Sequence, residues 1–515
     1  MSLARAWSVS LVGVEGHLVE IEVDLAQGLP GLTMVGLPDT ALQEARDRIR
    51  AAIVNSGESW PSRRITVGLS PASLPKRGSG FDLAIAAAVL AAAGAVPADA
   101  LAGRLLLGEL GLDGRVRPVR GVLPAVLAAT GAGIDRVVVA AANAAEAALV
   151  PAVTVDAVLS LSGLLALLRG EPVAVADVDT AAPDPPADTG SCGDGRGLDL
   201  ADVVGQPEGR RAVEVAAAGG HHLFLYGPPG AGKTMLAERL PGVLPRLDRR
   251  SALEVTAVHS VAGTLPAGCP LLSVPPYCGP HHTATVAALI GGGSGIARPG
   301  AASLAHRGVL FLDEAPEFAP HALDALRQPL ESGEVVISRA GGTARYPARF
   351  TLVLAANPCP CANATSSASE CTCTPNARRR YLGRLSGPLL DRIDLRVQLL
   401  PVDRAALLAD RRLVEPTATV AERVAEARVR STARLLGTPW RTTSEIPGRE
   451  LLGVFSPTPE GRSVVETGLL RGQLSARGLD RVLRVAWTLA DLDEVDRPGA
   501  DQVHEALLLR TGAAA

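Results

Sequence analysis

The stretch LFLYGPPGAGKT, residues 223–234, decides how this chain is read. Leu223 to Tyr226 has the length and apolar character of a buried parallel strand, and from Met235 to Leu240 the chain resumes with helix formers. Between them Gly227, Gly232, Lys233 and Thr234 satisfy G-x-x-x-x-G-K-[ST], in the strand, loop and helix setting that the motif requires. In such a loop, here Gly227, Pro228, Pro229, Gly230, Ala231 and Gly232, the glycines let the backbone approach phosphate oxygens without a Cβ clash. The helix N-terminus adds a favourable dipole. Lys233 offers a point charge to the β and γ phosphates, and the Thr234 hydroxyl a ligand to Mg²⁺. The expected ligand is a nucleoside triphosphate with Mg²⁺.

A second signature, GVLFLDEAPEF at 308–318, delivers Asp313 and Glu314 at the end of a four-residue apolar strand, where open α/β sheets place their ligands. Asp313 is the expected Mg²⁺ carboxylate and Glu314 the group that orients the attacking water. A third strand, Phe350 to Ala356, ends in Asn357, a neutral amide expected beside the γ-phosphate or else a local turn cap before Pro358. In SGPLLDRIDL, 386–395, Arg392 stands between Asp391 and Asp394. It is either an ordinary ion-pair residue or an arginine that reaches a neighbouring subunit's phosphate to stabilise transition-state charge.

At 515 residues the chain has room for about three domains. A net charge of -3 makes any nucleic-acid surface a local patch. The most apolar helix-like run, Leu83 to Val96, is too short to span a bilayer and no signal-like segment opens the chain, so no membrane partner and a cytoplasmic address are expected. Residues 1–170 read as an α/β module, with strands at Val9 to Val14, Leu18 to Val23 and Arg64 to Leu69 and helices at Thr40 to Asn55 and from Asp82. Residues 171–197 read as a Pro, Asp, Gly and Ala linker, 198–400 as the nucleotide core and 401–515 as a helical lid. Amphipathic helices are expected at Glu422 to Leu436 and Asp480 to Leu492.

Two further features carry chemistry. Residues 333–350 read as a hairpin turning at Gly341 and Gly342, with Arg339 and Arg345 on its arms, either a sequence-tolerant grip on DNA phosphates or a solvated surface hairpin. The glycine cluster Gly291 to Gly293 marks another loop. Cys359, Cys361, Cys371 and Cys373 form two C-x-C pairs, either a tetrahedral Zn²⁺ site or four reduced thiols. His281 and His282 are either further metal ligands or, as expected where no carboxylate or Cys pair frames them in the sequence, local structure.

PKRGSGFDLAIA (75–86) and the GEL…GRV.PV.G run from Gly108 resemble the peptidase domain of Lon proteases. Gly80 stands where that resemblance implies the nucleophilic Ser, and the segment after Gly121 offers no lysine. Only Ser79 and Lys76 remain as a displaced pair, so a docking or assembly module lacking the Ser/Lys dyad is expected.

Taken together, GPPGAGKTMLAERLPG, SLAHRGVLFLDEAPEF, LRQPLESGEVVISRAG, ANPCPC, SGPLLDRIDL and LSARGLDRVLRVAWTLADL resemble the magnesium-chelatase-related branch of AAA+ ATPases, specifically the ComM (YifB-like) family. The resemblance runs from near residue 5 to near 510. It implies an α/β fold with a Lon-protease-like N-terminal α+β domain, a parallel-sheet AAA+ core and a C-terminal helical lid. It also implies a homohexameric, ATP-hydrolysing ring that moves on single-stranded or branched DNA with recombination proteins and promotes branch migration in natural transformation. Asn357 then falls at sensor 1, Arg392 at the arginine finger and Arg477 at sensor 2, with Arg481 and Arg484 as neighbours. The alternative is a protein-remodelling ATPase akin to the motor subunit of a metal chelatase. The chain departs from the family at SVPPYCGPHH, where an arginine-bearing segment is usual, and at Trp487.

Overall fold

The computed structural model describes residues 2–36, 39–76, 78–172, 197–266, 268–293, 297–339, 342–361, 371, 373–402, 414–472 and 474–512. The interior of the expected linker and Gly341 of the expected turn lie outside them.

The N-terminal sheet has seven strands: β1 (Ser2–Val12), β2 (Glu15–Ala26), β3 (Gly31–Val35), β4 (Arg64–Ser70), β5 (Arg104–Leu107), β6 (Arg136–Ala140) and β7 (Thr154–Val158). Their order is β3-β4-β2-β1-β5-β6-β7. β1 begins seven residues before the span read for it and ends two residues short, Gly13 and Val14 forming the turn, while β2 extends three residues further at each end. On β2 the face away from Val19, Ile21, Val23 and Leu25 carries Glu20, Glu22 and Asp24, and Arg5 of β1 lies opposite Glu22 with an ion pair of 3.0 Å. Cross-strand charge pairs support a sheet as apolar ones do. Helix α1 (Thr40–Asn55) matches its expected span, and α2 (Asp82–Ala92) is buried along its whole length. Helix α3 (Val122–Gly131) covers the other part of the sheet.

The second sheet is built from β8 (Leu223–Tyr226), β9 (Tyr277–Cys278), β12 (Val309–Leu312), β15 (Thr351–Ala356) and β16 (Leu395–Gln398), with two short hairpins, β10 (Gly291–Gly292) with β11 (Arg298–Pro299) and β13 (Glu334–Arg339) with β14 (Gly342–Pro347), inserted between its strands. The five strands are all parallel, in the order β9-β12-β15-β8-β16. Both faces are covered, which is why the strands read as continuous apolar runs. β15 lies between β8 and β12, so the residue that follows it stands between those that follow its neighbours. This order places Asn357 between Lys233 and Asp313.

Helices α4 (Pro207–Gly219) and α5 (Lys233–Val243) flank this sheet. Gly220, at φ +74°, ends α4 in the left-handed conformation that glycine adopts without strain. The C-terminal helices α8 (Thr417–Arg434), α9 (Ala476–Leu492) and α10 (Ala500–Thr511) share one hydrophobic core with α4, α5, β8 and β16. Both amphipathic helices exist, each starting a few residues earlier than its expected span.

The N-terminal module is fixed to the nucleotide core through α6 (Arg249–Ala262). Ala257 enters the core formed by Val9, Leu105 and Val122, and the Ser260 hydroxyl donates to buried Glu146 while accepting from Gly121 N–H at 2.9 Å. Burial raises the Glu146 carboxyl above its ordinary range, against the Ser260 and Leu123 hydrogen bonds that lower it. Among the described residues no helix is long and apolar enough to cross a membrane.

Candidate active site

The phosphate loop leaves β8 at Gly227 and enters α5 at Lys233. Gly230 and Gly232 have φ of +77° and +85°, a conformation that any other residue would hold under strain. A Cβ at either would meet nothing within 4 Å, so the loop surrounds open space that its backbone lines. Lys233 Nζ donates to the carbonyls of Gly227 (2.7 Å) and Pro228 (2.8 Å) and to Asn357 Oδ1 (2.9 Å). Burial lowers the Lys233 pKa, and Asp313 and Glu314 pull it back up. An ammonium held by three neutral acceptors beside an open loop fits an anion such as a triphosphate.

Thr234 Oγ1 donates to Asp313 Oδ2 at 2.8 Å. A hydroxyl and a carboxylate oxygen this close, at the mouth of the loop, form a hard-oxygen pair that suits Mg²⁺, with substrate and water oxygens completing its octahedron. The neighbouring Glu314 has φ +49° and ψ +42°. A left-handed non-glycine residue is uncommon, and such strain gathers at functional sites. It turns the Glu314 carboxylate toward His282, whose Nδ1 lies 3.3 Å from Oε2. The two residues are remote in sequence and meet only because β9 pairs with β12. The expectation that His282 serves only local structure is therefore corrected. Its ring stacks on His281 at 4.0 Å, while His281 Nδ1 bonds Thr283.

Arg392 and Arg477 lie elsewhere. Both line a cleft of about 1210 Å³ together with His222, Gly308, Thr351, Asp394, Arg481 and Arg484. His222, Gly308 and Thr351 stand at the beginnings of the strands whose ends carry the phosphate loop, Asp313 and Asn357. Five residue-to-residue steps, spanning the four residues of β8, separate His222 from Gly227, about 16 Å at 3.3 Å per step. Arg477 is therefore not brought to this chain's own phosphate loop, where a lid residue closing over its own nucleotide would stand. It is 76% exposed and 3.7 Å from Asp391. Arg392 is 14% exposed; it donates to Glu331 and to the Pro388 carbonyl, and its Nε is buried without a partner. Desolvation lowers its pKa, and the nearby Arg327, Arg477 and Arg481 lower it further. Of the cleft arginines, Arg392 has Glu331 beside it, Arg477 has Asp391 and Arg481 has Asp394, and the exposed Arg477 is the one placed to offer its charge to an anion entering the cleft.

Asp394 anchors this edge. Desolvation alone would raise its pKa, but Arg481 at 2.9 Å and His221 hold it well below the carboxylate range. Arg481 is thus an internal ion-pair residue, and Arg484 donates to the Ile446 carbonyl at 2.7 Å. Of the three lid arginines, Arg477 alone projects outward.

The two hairpins lie side by side. Gly291, at φ +103°, allows the close approach, because a Cβ there would sit 2.9 Å from Ile337 of β13. Exposed Arg339 comes next to Gly292, on the same pair of strands as exposed Arg298. Arg345 differs from its reading as a free DNA contact. It pairs with Glu334 across the hairpin at 2.9 Å, and its backbone abuts Gly13 in the β1–β2 turn of the N-terminal module. Arg298 was missed because a lone Arg before Pro299 has no distinguishing spacing.

Ser79 and Lys76 do not form a dyad. Ser79 donates to Glu109, while fully buried Lys76 donates to the Pro71 carbonyl. Cys359, Cys361, Cys371 and Cys373 converge just beyond Asn357.

A parallel sheet with a phosphate loop, an acidic pair two strands away and a polar residue on the strand between defines the core of a P-loop ATPase of the AAA+ class. The sequence families described as magnesium chelatase, subunit ChlI, match at residues 199–407, as subunit ChlI of Mg-chelatase at 21–143, and as the ChlI C-terminal region at 414–510. Over 514 residues the chain is 55% identical to an uncharacterized protein of Mycobacterium tuberculosis, covering 100% of each. It is 41% identical to YifB of Escherichia coli, covering 99% of this chain and 97% of that one, and 41% identical to competence protein ComM of Haemophilus influenzae, covering 96% and 94%. The chain belongs to the ComM/YifB-like family of magnesium-chelatase-related AAA+ ATPases.

Proposed function

We propose that this chain is the subunit of a cytoplasmic, homohexameric ATP-driven motor that acts on single-stranded or branched DNA, as in branch migration alongside recombination proteins during natural transformation. The observation that carries the reading is the separation of cationic groups into two places outside the phosphate loop. Arg392 and Arg477 sit on the edge remote from Lys233, where a neighbouring copy's nucleotide completes the site. Arg298 and Arg339 sit on paired hairpins that suit phosphate contacts of a strand passing through a pore.

ATP with Mg²⁺ supplies the phosphoanhydride and the charge-neutralising cation. Lys233 binds the terminal phosphates, Thr234 and Asp313 hold the metal, and Asn357 keeps Lys233 in place through its 2.9 Å contact. Glu314 orients and polarises the attacking water, and His282 positions Glu314. The name of the Haemophilus relative, competence protein, supports a DNA role in transformation. The second reading, a protein-remodelling motor, is supported by the family descriptions, which are those of a magnesium chelatase subunit.

ATP hydrolysis is measured with and without single-stranded, duplex and four-way DNA, with Lys233→Ala as the blank. Stimulation by single-stranded or branched DNA that declines with salt supports the DNA motor. Hydrolysis indifferent to every DNA overturns it in favour of a protein partner.

A further inference from the structure

Cys359 and Cys361 leave the end of β15, and Cys371 and Cys373 stand just before helix α7 (Pro375–Leu382). The residues that join the two pairs lie outside the described ones, but all four sulfurs lie within 4.8 Å of one another. Cys359 Sγ is 3.1 Å from Cys361 Sγ and 3.4 Å from Cys371 Sγ, and the last two are 3.5 Å apart. Four sulfurs on a tetrahedron around a metal at a bond length of about 2.3 Å stand about 3.8 Å apart. The cluster thus has the dimensions of a four-thiolate cage, contracted by a few tenths of an ångström. Four thiols with no common partner have no reason to converge from two chain segments. Each is a weak donor and a weak acceptor, and conformational entropy opposes the gathering.

We propose that Cys359, Cys361, Cys371 and Cys373 bind one structural Zn²⁺, which locks the end of β15 to α7 and so fixes Asn357. A set of four soft sulfur donors selects Zn²⁺ over Mg²⁺ and leaves no open coordination position, so the metal is a staple with no catalytic role. The cage carries a net charge of about -2 once filled, and the Arg378 guanidinium on α7 faces Cys371 as an outer-shell partner. The staple reaches the nucleotide site along the chain, because Cys359 is two residues from Asn357. Asn357 in turn receives the Lys233 ammonium. This last link rests on the reading of Asn357 and Lys233 as parts of the ATP site.

The test uses the full chain purified in reductant without added metal. Elemental analysis should find about one zinc per chain, released by a mercurial thiol reagent. Co²⁺ exchange should give the d–d and thiolate-to-cobalt bands of a tetrahedral S₄ site. Cys361→Ser and Cys371→Ser, at partly exposed positions, should lose the metal while keeping the far-UV circular dichroism of the wild type. Metal-free protein in which these four cysteines react at once with Ellman's reagent overturns the proposal, as does iron in place of zinc. If the variants lose zinc, kcat for ATP should fall about tenfold or more, as when an outer-shell support is removed. Loss of zinc with unchanged kcat overturns the link to Asn357 and leaves the metal site standing. Zinc content is read without ATP, so its outcome is independent of the motor reading.

Discussion

If Arg392 acts on the nucleotide of a neighbouring copy, two inactive variants must rescue one another. Lys233→Ala removes the phosphate ligand from a subunit's own loop, and Arg392→Ala removes the cation that the subunit offers to its neighbour. Arg392 lines the cleft at the beginnings of the strands and Lys233 follows the end of β8, about 16 Å of strand further on, so neither side chain can substitute for the other within one chain. Each variant alone should lose roughly a hundredfold or more of kcat, the scale of deleting a preorganised charge partner of the transition state. In an equimolar mixture every interface draws its loop and its arginine from different subunits. The loop is intact with probability one half and the arginine with probability one half, so about one quarter of interfaces are whole in a closed ring. Mixed rings, made by co-expression with two affinity tags, should therefore recover about one quarter of wild-type ATPase activity. Recovery no greater than that of the separate variants refutes the argument. Arg477→Ala should behave as Arg392→Ala does in the same assay.

The hairpins separate by residue. Arg339→Ala and Arg298→Ala should each weaken DNA-stimulated hydrolysis and reduce the salt slope of DNA binding by about 1. Arg345→Ala should leave that slope unchanged, because its charge already pairs with Glu334. Gly13→Ala, with φ at +68° and a new Cβ 2.5 Å from the Arg345 carbonyl, should destabilise the joint between module and core by about 1–3 kcal/mol, measured by denaturant titration. His222 accepts from Leu352 N–H at 3.0 Å through Nδ1, and desolvation pushes its pKa down to about 4. Its folded value lies below its unfolded one, so its stabilisation is complete above the unfolded pKa of about 6.5 and is lost as pH falls toward 4, at most about 3 kcal/mol. His222→Asn keeps an acceptor without the titration, and should flatten the acid limb of the stability curve.

The elements legible in the sequence were those whose cause is local. The phosphate loop, the apolar strands before Asp313 and Asn357, and the helix beginning at Thr40 each carry their signal within a dozen residues. The ends of β1 and β2 were less legible than their apolar centres because the pairing of one strand with the other, with Arg5 opposite Glu22, carries the ladder past the most hydrophobic residues. Arg345 and Arg339 read alike on paper. Only the diagonal cross-strand neighbour Glu334 and the Gly13 turn distinguish them.

By itself the sequence determined the nucleotide chemistry, since a loop that cradles phosphate needs glycine, lysine and threonine at fixed spacing, and these are neighbours along the chain. The tertiary structure decided which groups that chemistry can recruit. Parallel strands fix a direction, so residues at their ends, Lys233, Asp313 and Asn357, are gathered together, while Arg392 and Arg477 at their beginnings are held a strand's length away. The meetings of His282 with Glu314, of Ser260 with Glu146 and of the four cysteines depend on strand order and domain docking. Long-range pairing of that kind is chosen by the packing of whole elements, and no single stretch of chain encodes it.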